Sequence, residues 1–126
     1  MLDAVHHVAI ICSDYERSKR FYAEILRLPI IREVWRADRQ SWKCDLQVGA
    51  TQIELFSFPN PPARPSQPEA QGLRHLAFAV AALEPVIEYL QNQDLAVEPI
   101  RLDQHTGKRF TFFADPDGLP LELYER

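Results

Sequence analysis

Two histidines and two glutamates recur in this sequence at one fixed spacing. His75 follows His7 by 68 residues, and Glu122 follows Glu54 by the same 68 residues. Imidazole nitrogens and carboxylate oxygens form an N2O2 ligand set that suits Zn, Ni, Mn, Co or Fe. The set lacks the thiolates of a closed structural zinc site, and around a six-coordinate metal it would leave two positions for water or substrate. Because both residue types recur in both copies, we predict that these four residues bind one divalent metal ion.

The same offset relates longer segments around the four residues. Residues 6–10 and 53–56 correspond to residues 74–78 and 121–124, with no net insertion between them. A shared offset over segments so far apart indicates two copies of one structural unit. The sequence therefore predicts an internal repeat, and the candidate ligands belong to what repeats.

Hydrophobic periodicity predicts the same order of elements, βαβββ, in both copies. In the first copy we expect strands at 7–12, 30–35, 42–48 and 51–58 and a helix from about residue 14 to 27, capped by Ser13 or Asp14. In the second we expect strands at 73–80, 95–100, 109–114 and 119–125 and a helix at 82–92. Half of the ten prolines lie between residues 59 and 72, which predicts a stiff, extended connector. We expect one domain, 1–126, made of module one (about 4–58), this connector and module two (about 73–126).

Strand alternation predicts where the four candidate ligands point. Glu54 lies between Ile53 and Leu55 in sequence, so its side chain should leave the sheet on the face opposite to those two. Glu122 has the same relation to Leu121 and Leu123. The aliphatic face is the natural one for a helix to cover, so both carboxylates should lie on the other face. We expect His6 to face away from His7 and to be structural.

Composition bounds the class of protein. The chain has 126 residues, 46% hydrophobic and 25% charged, which is typical of a soluble globular domain. A net charge of −4 without a basic run argues against nucleic acid and anionic membranes as partners. The N-terminus lacks the features of a signal peptide, and Cys12 and Cys44 lack metal or redox spacing. We therefore expect reduced thiols in a cytoplasmic protein.

The motifs together resemble the vicinal oxygen chelate superfamily, which includes glyoxalase I, bleomycin-resistance proteins and extradiol dioxygenases. The resemblance covers essentially the whole chain and is carried by His6-His7-Val8-Ala9-Ile10, Asp14-(x)3-Ser18-(x)2-Phe21-Tyr22, Ile53-Glu54-Leu55-Phe56, Gly72-Leu73-Arg74-His75-Leu76-Ala77-Phe78 and Asp115-Pro116-Asp117-Gly118-(x)2-Leu121-Glu122-Leu123. It implies an α+β fold in which two tandem βαβββ modules form a cupped, half-barrel mixed sheet with the helices outside. It also assigns the ligand role to His7, Glu54, His75 and Glu122, the residues that the repeat selects.

The resemblance further implies an activity. A carboxylate at Glu54 is similar to the four-ligand site of glyoxalase I and unlike the three-ligand sites of extradiol dioxygenases and fosfomycin-resistance transferases. We expect a divalent-metal-dependent lyase or isomerase acting through an enediolate on a small substrate with vicinal oxygens, with Glu54 or Glu122 moving the proton. Ile11 and Phe58 stand where bacterial glyoxalase I has its glutathione-contacting Arg and Asn, which argues against glutathione as the thiol.

Alternatives and weaker expectations follow from the same residues. One alternative is a bleomycin-resistance-like protein that binds a ligand without chemistry, and another is an epimerase of the acyl-CoA type. Arg74, Thr106, Lys108 and Arg109, with Gly107 and His105 nearby, could form an anion-binding rim for a small-molecule substrate, although such loop residues are often only solvated. Trp35 and Trp42 are expected to pack in the core or at an interface. The resemblance also favours a homodimer.

Overall fold

A computed structural model describes residues 1–126, the whole of the sequence. The chain forms two compact units, Met1–Ala63 and Arg64–Arg126. The first contains β1 (His7–Cys12), helix α1 (Tyr15–Lys19), a π-helical segment (Arg20–Ile25), β2 (Ile30–Arg36), a 3₁₀ turn (Ala37–Arg39), β3 (Ser41–Val48) and β4 (Thr51–Ser57). The second contains β5 (Leu76–Val80), helix α2 (Leu83–Asn92), β6 (Arg101–Leu102), β7 (Arg109–Ala114) and β8 (Pro120–Glu125). Each unit has the order βαβββ, which confirms the predicted α+β class and its repeated module.

Each unit has one four-stranded mixed sheet with the same topology. The strand orders are β1-β4-β3-β2 and β5-β8-β7-β6. The first strand pairs in parallel with the last, and the other pairs are antiparallel. The last strand of each unit is therefore central, and it carries the candidate carboxylate.

The core of each unit lies between its helix and one face of its sheet. Ile53 and Leu55 are buried in the first unit, and Leu121 and Leu123 in the second. Helix α1 contacts β4, and α2 contacts β7 and β8. Burial of these aliphatic side chains removes apolar surface from water and holds each sheet against its helix. The aliphatic face is thus the helix face, as the alternation predicts.

The first helical segment differs from the expected helix. The Asp14 side chain accepts a hydrogen bond from the Arg17 backbone N–H, which confirms one of the two expected N-caps. The α-helix ends at Lys19, and a π-helical segment continues to Ile25. Phe21 and Tyr22, adjacent in sequence, are both buried, with their rings edge to face. The wider π turn accommodates two consecutive aromatic residues in the core, a requirement that apolar spacing alone does not reveal.

Two strands of the second unit also differ from expectation. Strand β5 begins at Leu76, so His75 precedes the strand instead of lying within it. The expected strand at 95–100 is absent, and β6 comprises only Arg101–Leu102. Pro99 has no N–H to donate, and the Glu98 N–H makes an isolated backbone hydrogen bond to Phe112. The segment therefore lies beside β7 without forming a ladder.

The remaining expectations concern the connector, the cysteines and the membrane. Residues 58–75 contain no helix or strand, as the prolines predict. Cys12 and Cys44 form no disulfide and are buried in β1 and β3. None of the helices is long and apolar enough to cross a membrane. The single domain over 1–126 and the cytoplasmic location stay predictions.

An ion-pair network joins α1 to the edge strand β2. The Tyr15 hydroxyl donates to Glu33 Oε2 over 2.5 Å, and Lys19 Nζ donates to Glu33 Oε1 over 3.0 Å. The hydrogen bonds from Lys19 and then from Tyr15 hold the pKa of Glu33 below its usual range. Burial, with a further effect of Glu33, raises the pKa of Tyr15. The Tyr15 ring also stacks on Trp42, with centroids 5.4 Å apart, so this network secures the helix face.

We expect Glu33→Gln to lower the free energy of unfolding by about 1–2 kcal/mol at neutral pH, because the neutral amide loses the charge that Lys19 and Tyr15 stabilise. A carboxylate with a lowered pKa contributes stability above its ordinary pKa of 4.5 and loses that contribution as the pH falls through the folded value. Urea unfolding from about pH 7 down to about pH 3 should therefore show a difference that shrinks in acid.

The matched control is Glu24→Gln, which removes an exposed pair with Arg20. We expect it to change stability by less than about 0.5 kcal/mol at any pH. If the difference in free energy of unfolding between wild type and Glu33→Gln stayed constant down to about pH 3, the stabilising role of the Glu33 charge would be contradicted.

Candidate functional site

Strand β4 places Glu54 and His7 side by side in the first unit. Glu54 leaves the sheet on the face opposite to the buried Ile53 and Leu55. Its neighbour on β1 is Ala9, and His7 lies two residues before Ala9 on the same face. The small Ala9 leaves space, and His7 Nδ1 lies 3.4 Å from Glu54 Oε2. The structure therefore brings this predicted pair of ligands together.

The second unit repeats the arrangement with its own histidine and glutamate. His75 Nε2 lies 3.0 Å from Glu122 Oε2. Ala77, the β5 partner of Glu122, takes the place that Ala9 has in the first unit. The edge of one ring, His75 or Phe112, meets the face of the other, with centroids 5.0 Å apart and planes at 90°. Although His75 precedes its strand, the structure brings this pair together as well.

The geometry of both pairs fits neighbouring ligands of a metal ion. Two donor atoms that each lie about 2.1 Å from a metal are about 3.0 Å apart at a right angle and about 3.4 Å apart at the tetrahedral angle. The two observed separations have these values. In addition, the other ring nitrogen of His75, Nδ1, is buried without a hydrogen-bond partner. The two ring nitrogens point in different directions, so Nε2 is the nitrogen of His75 that could bind a metal beside Glu122.

The structure shows the four residues as two pairs, one within each unit. No group of three or more His, Cys, Asp or Glu side chains in the chain is close enough together to hold a metal ion. The structure supports two pairs, each able to supply one nitrogen and one oxygen. Their joint action as a four-ligand set stays a prediction.

The prediction for His6 was wrong. Its Nδ1 lies 3.0 Å from Nδ1 of His7, and the two rings meet edge to face with centroids 5.2 Å apart. Strand alternation does not apply to His6, because β1 begins only at His7. His6 is therefore a direct neighbour of a candidate ligand.

A charged group beside Glu54 was missed by the sequence reasoning. Asp45 is the cross-strand partner of Glu54 on β3, and its side chain is only 2% exposed. Lys43 Nζ lies 2.7 Å from Asp45 Oδ1 and 3.7 Å from Glu54 Oε1, and Arg32 Nε lies 3.4 Å from Asp45 Oδ2. The polar positions of β3, which alternate with the buried Cys44 and Leu46, were the available signal. The alternation along β3 could be recognised in the sequence, but the pairing of β3 with β4 that brings Asp45 beside Glu54 could not.

Part of the predicted rim lies near the second pair. Thr106 and Tyr124 form a hydroxyl–hydroxyl hydrogen bond, and Tyr124 also donates to Asp103 Oδ2 over 2.9 Å. Tyr124 follows Glu122 by two residues on β8, so the two share a face. The bond with Thr106 lowers the pKa of Tyr124, whereas desolvation and Asp103 raise it, and the net pKa lies above the usual range. The backbone N–H of Lys108 donates to the Thr106 hydroxyl.

Two arginines of the predicted rim are placed differently. The guanidinium of Arg109 forms ion pairs of 2.6 Å with Glu84 and 2.7 Å with Glu125. These pairs raise the pKa of Arg109 and lower the pKa values of both glutamates. Because Glu125 also accepts from the Leu83 backbone N–H, Arg109 belongs to the helix face, opposite to Glu122. Arg74 Nε lies 3.9 Å from Glu69, in the connector.

The tryptophans also belong to the helix face. Trp42 stacks on Tyr15, and the Trp35 ring lies 5.3 Å from the Trp42 ring. Trp42 alternates with Lys43 along β3, so it lies opposite to Glu54. The expected role in packing fits this placement.

The fold is that of a known class. The chain belongs to the Glyoxalase/Bleomycin resistance protein/Dioxygenase superfamily, whose model matches residues 4–123. It is 56% identical to the uncharacterized protein YwkD of Bacillus subtilis, over 100% of this chain and 99% of that protein. A crystal structure of the glyoxalase family protein from Enterococcus faecalis superimposes with a TM-score of 0.91 at 51% identity, over 97% of each chain.

A more distant relative has a named activity. The 2-epi-5-epi-valiolone epimerase of an Actinomyces species is 29% identical over 95% of this chain and 78% of that protein. The superfamily therefore includes an enzyme within recognisable sequence distance of this chain.

Proposed function

We propose that the protein is a divalent-metal-dependent lyase or isomerase of the glyoxalase type, acting on a small substrate with vicinal oxygens. The observation that carries the proposal is the pair of His–Glu contacts at 3.4 and 3.0 Å, one in each unit, at ligand-like separations. The repeat of the same two residue types at the same offset supports it independently. We propose His7, Glu54, His75 and Glu122 as the ligands of one ion, which could be Zn, Ni, Mn, Co or Fe.

The metal, when bound, supplies Lewis acidity toward adjacent substrate oxygens. The chain supplies the acid–base chemistry. Glu54 and Glu122 each have a carboxylate on the face away from the helix, within reach of a group that sits beside the paired histidine. One of them accepts the proton of a carbon next to a carbonyl and returns it at the neighbouring or the same carbon. The reaction class is thus proton transfer through an enediolate.

An epimerase is the second candidate, and the Actinomyces relative favours it. Return of a proton to the opposite face of the same carbon gives epimerisation, whereas return to the neighbouring carbon gives isomerisation. Both outcomes use the same carboxylates. Ile11 and Phe58 lack the hydrogen-bonding groups that a glutathione site would need there, so we propose another thiol or no thiol in the substrate.

We expect about one divalent ion per active set of two His–Glu pairs in protein purified without a tag or chelator, measured by elemental analysis. His75→Ala should lower the affinity for the metal by more than the roughly 10–100-fold that loss of an outer partner costs, because a direct ligand is lost. His105→Ala, in the loop at 103–108, is the matched control and should retain the metal. Wild type that takes up none of the five metals would refute the enzyme proposal and leave a ligand-binding protein.

The proton transfer has its own test in D2O. Metal-loaded protein incubated with a panel of hemithioacetals and 2-hydroxy ketones should exchange the carbon-bound proton for deuterium. We expect Glu54→Gln or Glu122→Gln to slow the exchange by about 10²–10⁴-fold, because the amide cannot accept the proton. The metal content of each variant is measured alongside. If both variants keep metal and exchange at the wild-type rate, neither carboxylate is the base.

We also propose a homodimer. The edge strand β2 exposes the apolar side chains of Ile30, Ile31, Val34 and Trp35, each between 42% and 47% exposed. An exposed apolar edge strand is a typical surface for association. Light scattering should give twice the mass of the chain, and Val34→Lys should shift the mass toward the monomer. A monomeric wild type at micromolar concentration would exclude the dimer. We place the protein in the cytoplasm on the basis of its sequence.

A further inference from the structure

The two His–Glu pairs have the same ligand types but different neighbours. On the face around Glu54, β3 places Asp45 directly opposite and Lys43 opposite Phe56. On the corresponding face of the second unit, β7 places Phe112 opposite Glu122 and Phe110 opposite Tyr124. The charged pair of the first unit thus occupies the positions that two phenylalanines occupy in the second. The two units therefore share the candidate ligands and differ in the side chains that lie next to them.

The ammonium group of Lys43 is held in place and remains accessible. It lies 2.7 Å from Asp45 Oδ1 and 3.7 Å from Glu54 Oε1. Its side chain is 22% exposed, whereas that of Asp45 is 2% exposed. An ammonium has three donors; one is donated to Asp45, whereas Glu54 lies beyond hydrogen-bond distance and is held only by charge attraction. The donors not used by Asp45 are therefore available to a group that binds beside Glu54.

Asp45 explains why the lysine is aimed in this way. Its two oxygens accept from two cations, Oδ1 from Lys43 and Oδ2 from Arg32. A buried carboxylate with both oxygens occupied is costly to move, because breaking either contact leaves a buried charge unpaired. Asp45 thus holds the Lys43 ammonium in one position, and this contact restricts the otherwise flexible four-carbon side chain. The lysine is preorganised before any ligand arrives.

We propose that Lys43 is a substrate-binding residue. It selects a substrate that carries a carboxylate group next to the vicinal oxygens that bind beside Glu54. This rests on the proposed function, which places the substrate at the His–Glu pairs. A fixed ammonium next to a ligand carboxylate offers a charge-assisted hydrogen bond to an anionic oxygen and none of comparable strength to a neutral one. In the second unit, Phe110 and Phe112 occupy the matching positions, and neither side chain offers such a donor.

The test uses oxalate, a small dianion with adjacent oxygens, as the probe. Isothermal titration of metal-loaded wild type should show oxalate binding, and Lys43→Met should weaken it by about tenfold or more. Lys43→Arg, which keeps the charge, should stay within a few fold of wild type. Lys19→Met is the matched control: it removes the same charge from the helix side of the same unit, beside Glu33, and should leave oxalate affinity unchanged.

Removal of Lys43 alone leaves the buried Asp45 with only Arg32, so a second variant protects the test against misfolding. Lys43→Met combined with Asp45→Asn removes the charge of both partners, and circular dichroism checks its fold. This variant should show the same loss of oxalate affinity. Unchanged oxalate affinity in a folded variant would overturn the proposal.

The metal affinity, measured for each variant, separates the alternatives. If Lys43→Met weakens metal binding as much as oxalate binding, Lys43 positions Glu54 instead of binding substrate, and the proposal is overturned. If wild type binds no metal, the proposed function fails, and the same titration on the metal-free protein decides the role of Lys43. Loss of oxalate binding in Lys43→Met then supports an anion site, and retained or absent binding overturns it.

Discussion

The strict alternation of side chains along the central strands β4 and β8 is the constraint on which the rest of the structure depends. Ile53 and Leu55 are buried beneath α1, and Leu121 and Leu123 beneath α2. A shift of either strand by one residue would expose the aliphatic side chains and bury the carboxylate under a helix. The hydrophobic core therefore determines the register, and the register places Glu54 and Glu122 on the other face.

Parallel pairing then brings the histidines to those carboxylates. In each unit the first strand lies beside the last, so residues far apart in the sequence become neighbours. The two copies cap the N-termini of their helices in different ways. The Asp14 side chain caps α1, whereas α2 begins after Ala82, which has no capping group, and Glu125 of β8 accepts from the Leu83 N–H instead. The pairing, rather than any one cap, is what the repeat preserves.

The two copies of the repeat have the same candidate ligand types, His and Glu, but differ at the neighbouring positions. Asp45 with its two cations lies next to one glutamate, and Phe112 lies next to the other. Arg101 lies over the Phe110 and Phe112 rings, at 5.1 and 5.3 Å from their centroids, which is a cation–π arrangement, and it also pairs with Glu98. The two candidate glutamates thus have different surroundings: a carboxylate with two cations in the first unit, and aromatic rings beneath a guanidinium in the second.

The amino-acid sequence by itself determined the repeat, the order βαβββ, the helix face and the four candidate ligands. These depend on the periodicity and spacing of residues, which can be read from the linear sequence. Tertiary structure decided the rest: the π turn that buries both Phe21 and Tyr22, the loss of the strand at 95–100, and the contact of His6 with His7. It also decided that Lys43 and Asp45 lie beside Glu54 and that Arg109 turns to Glu84. The contacts of Lys43 with Glu54 and of Arg109 with Glu84 join residues on different elements, and their partners are chosen by packing and register, which no local pattern encodes.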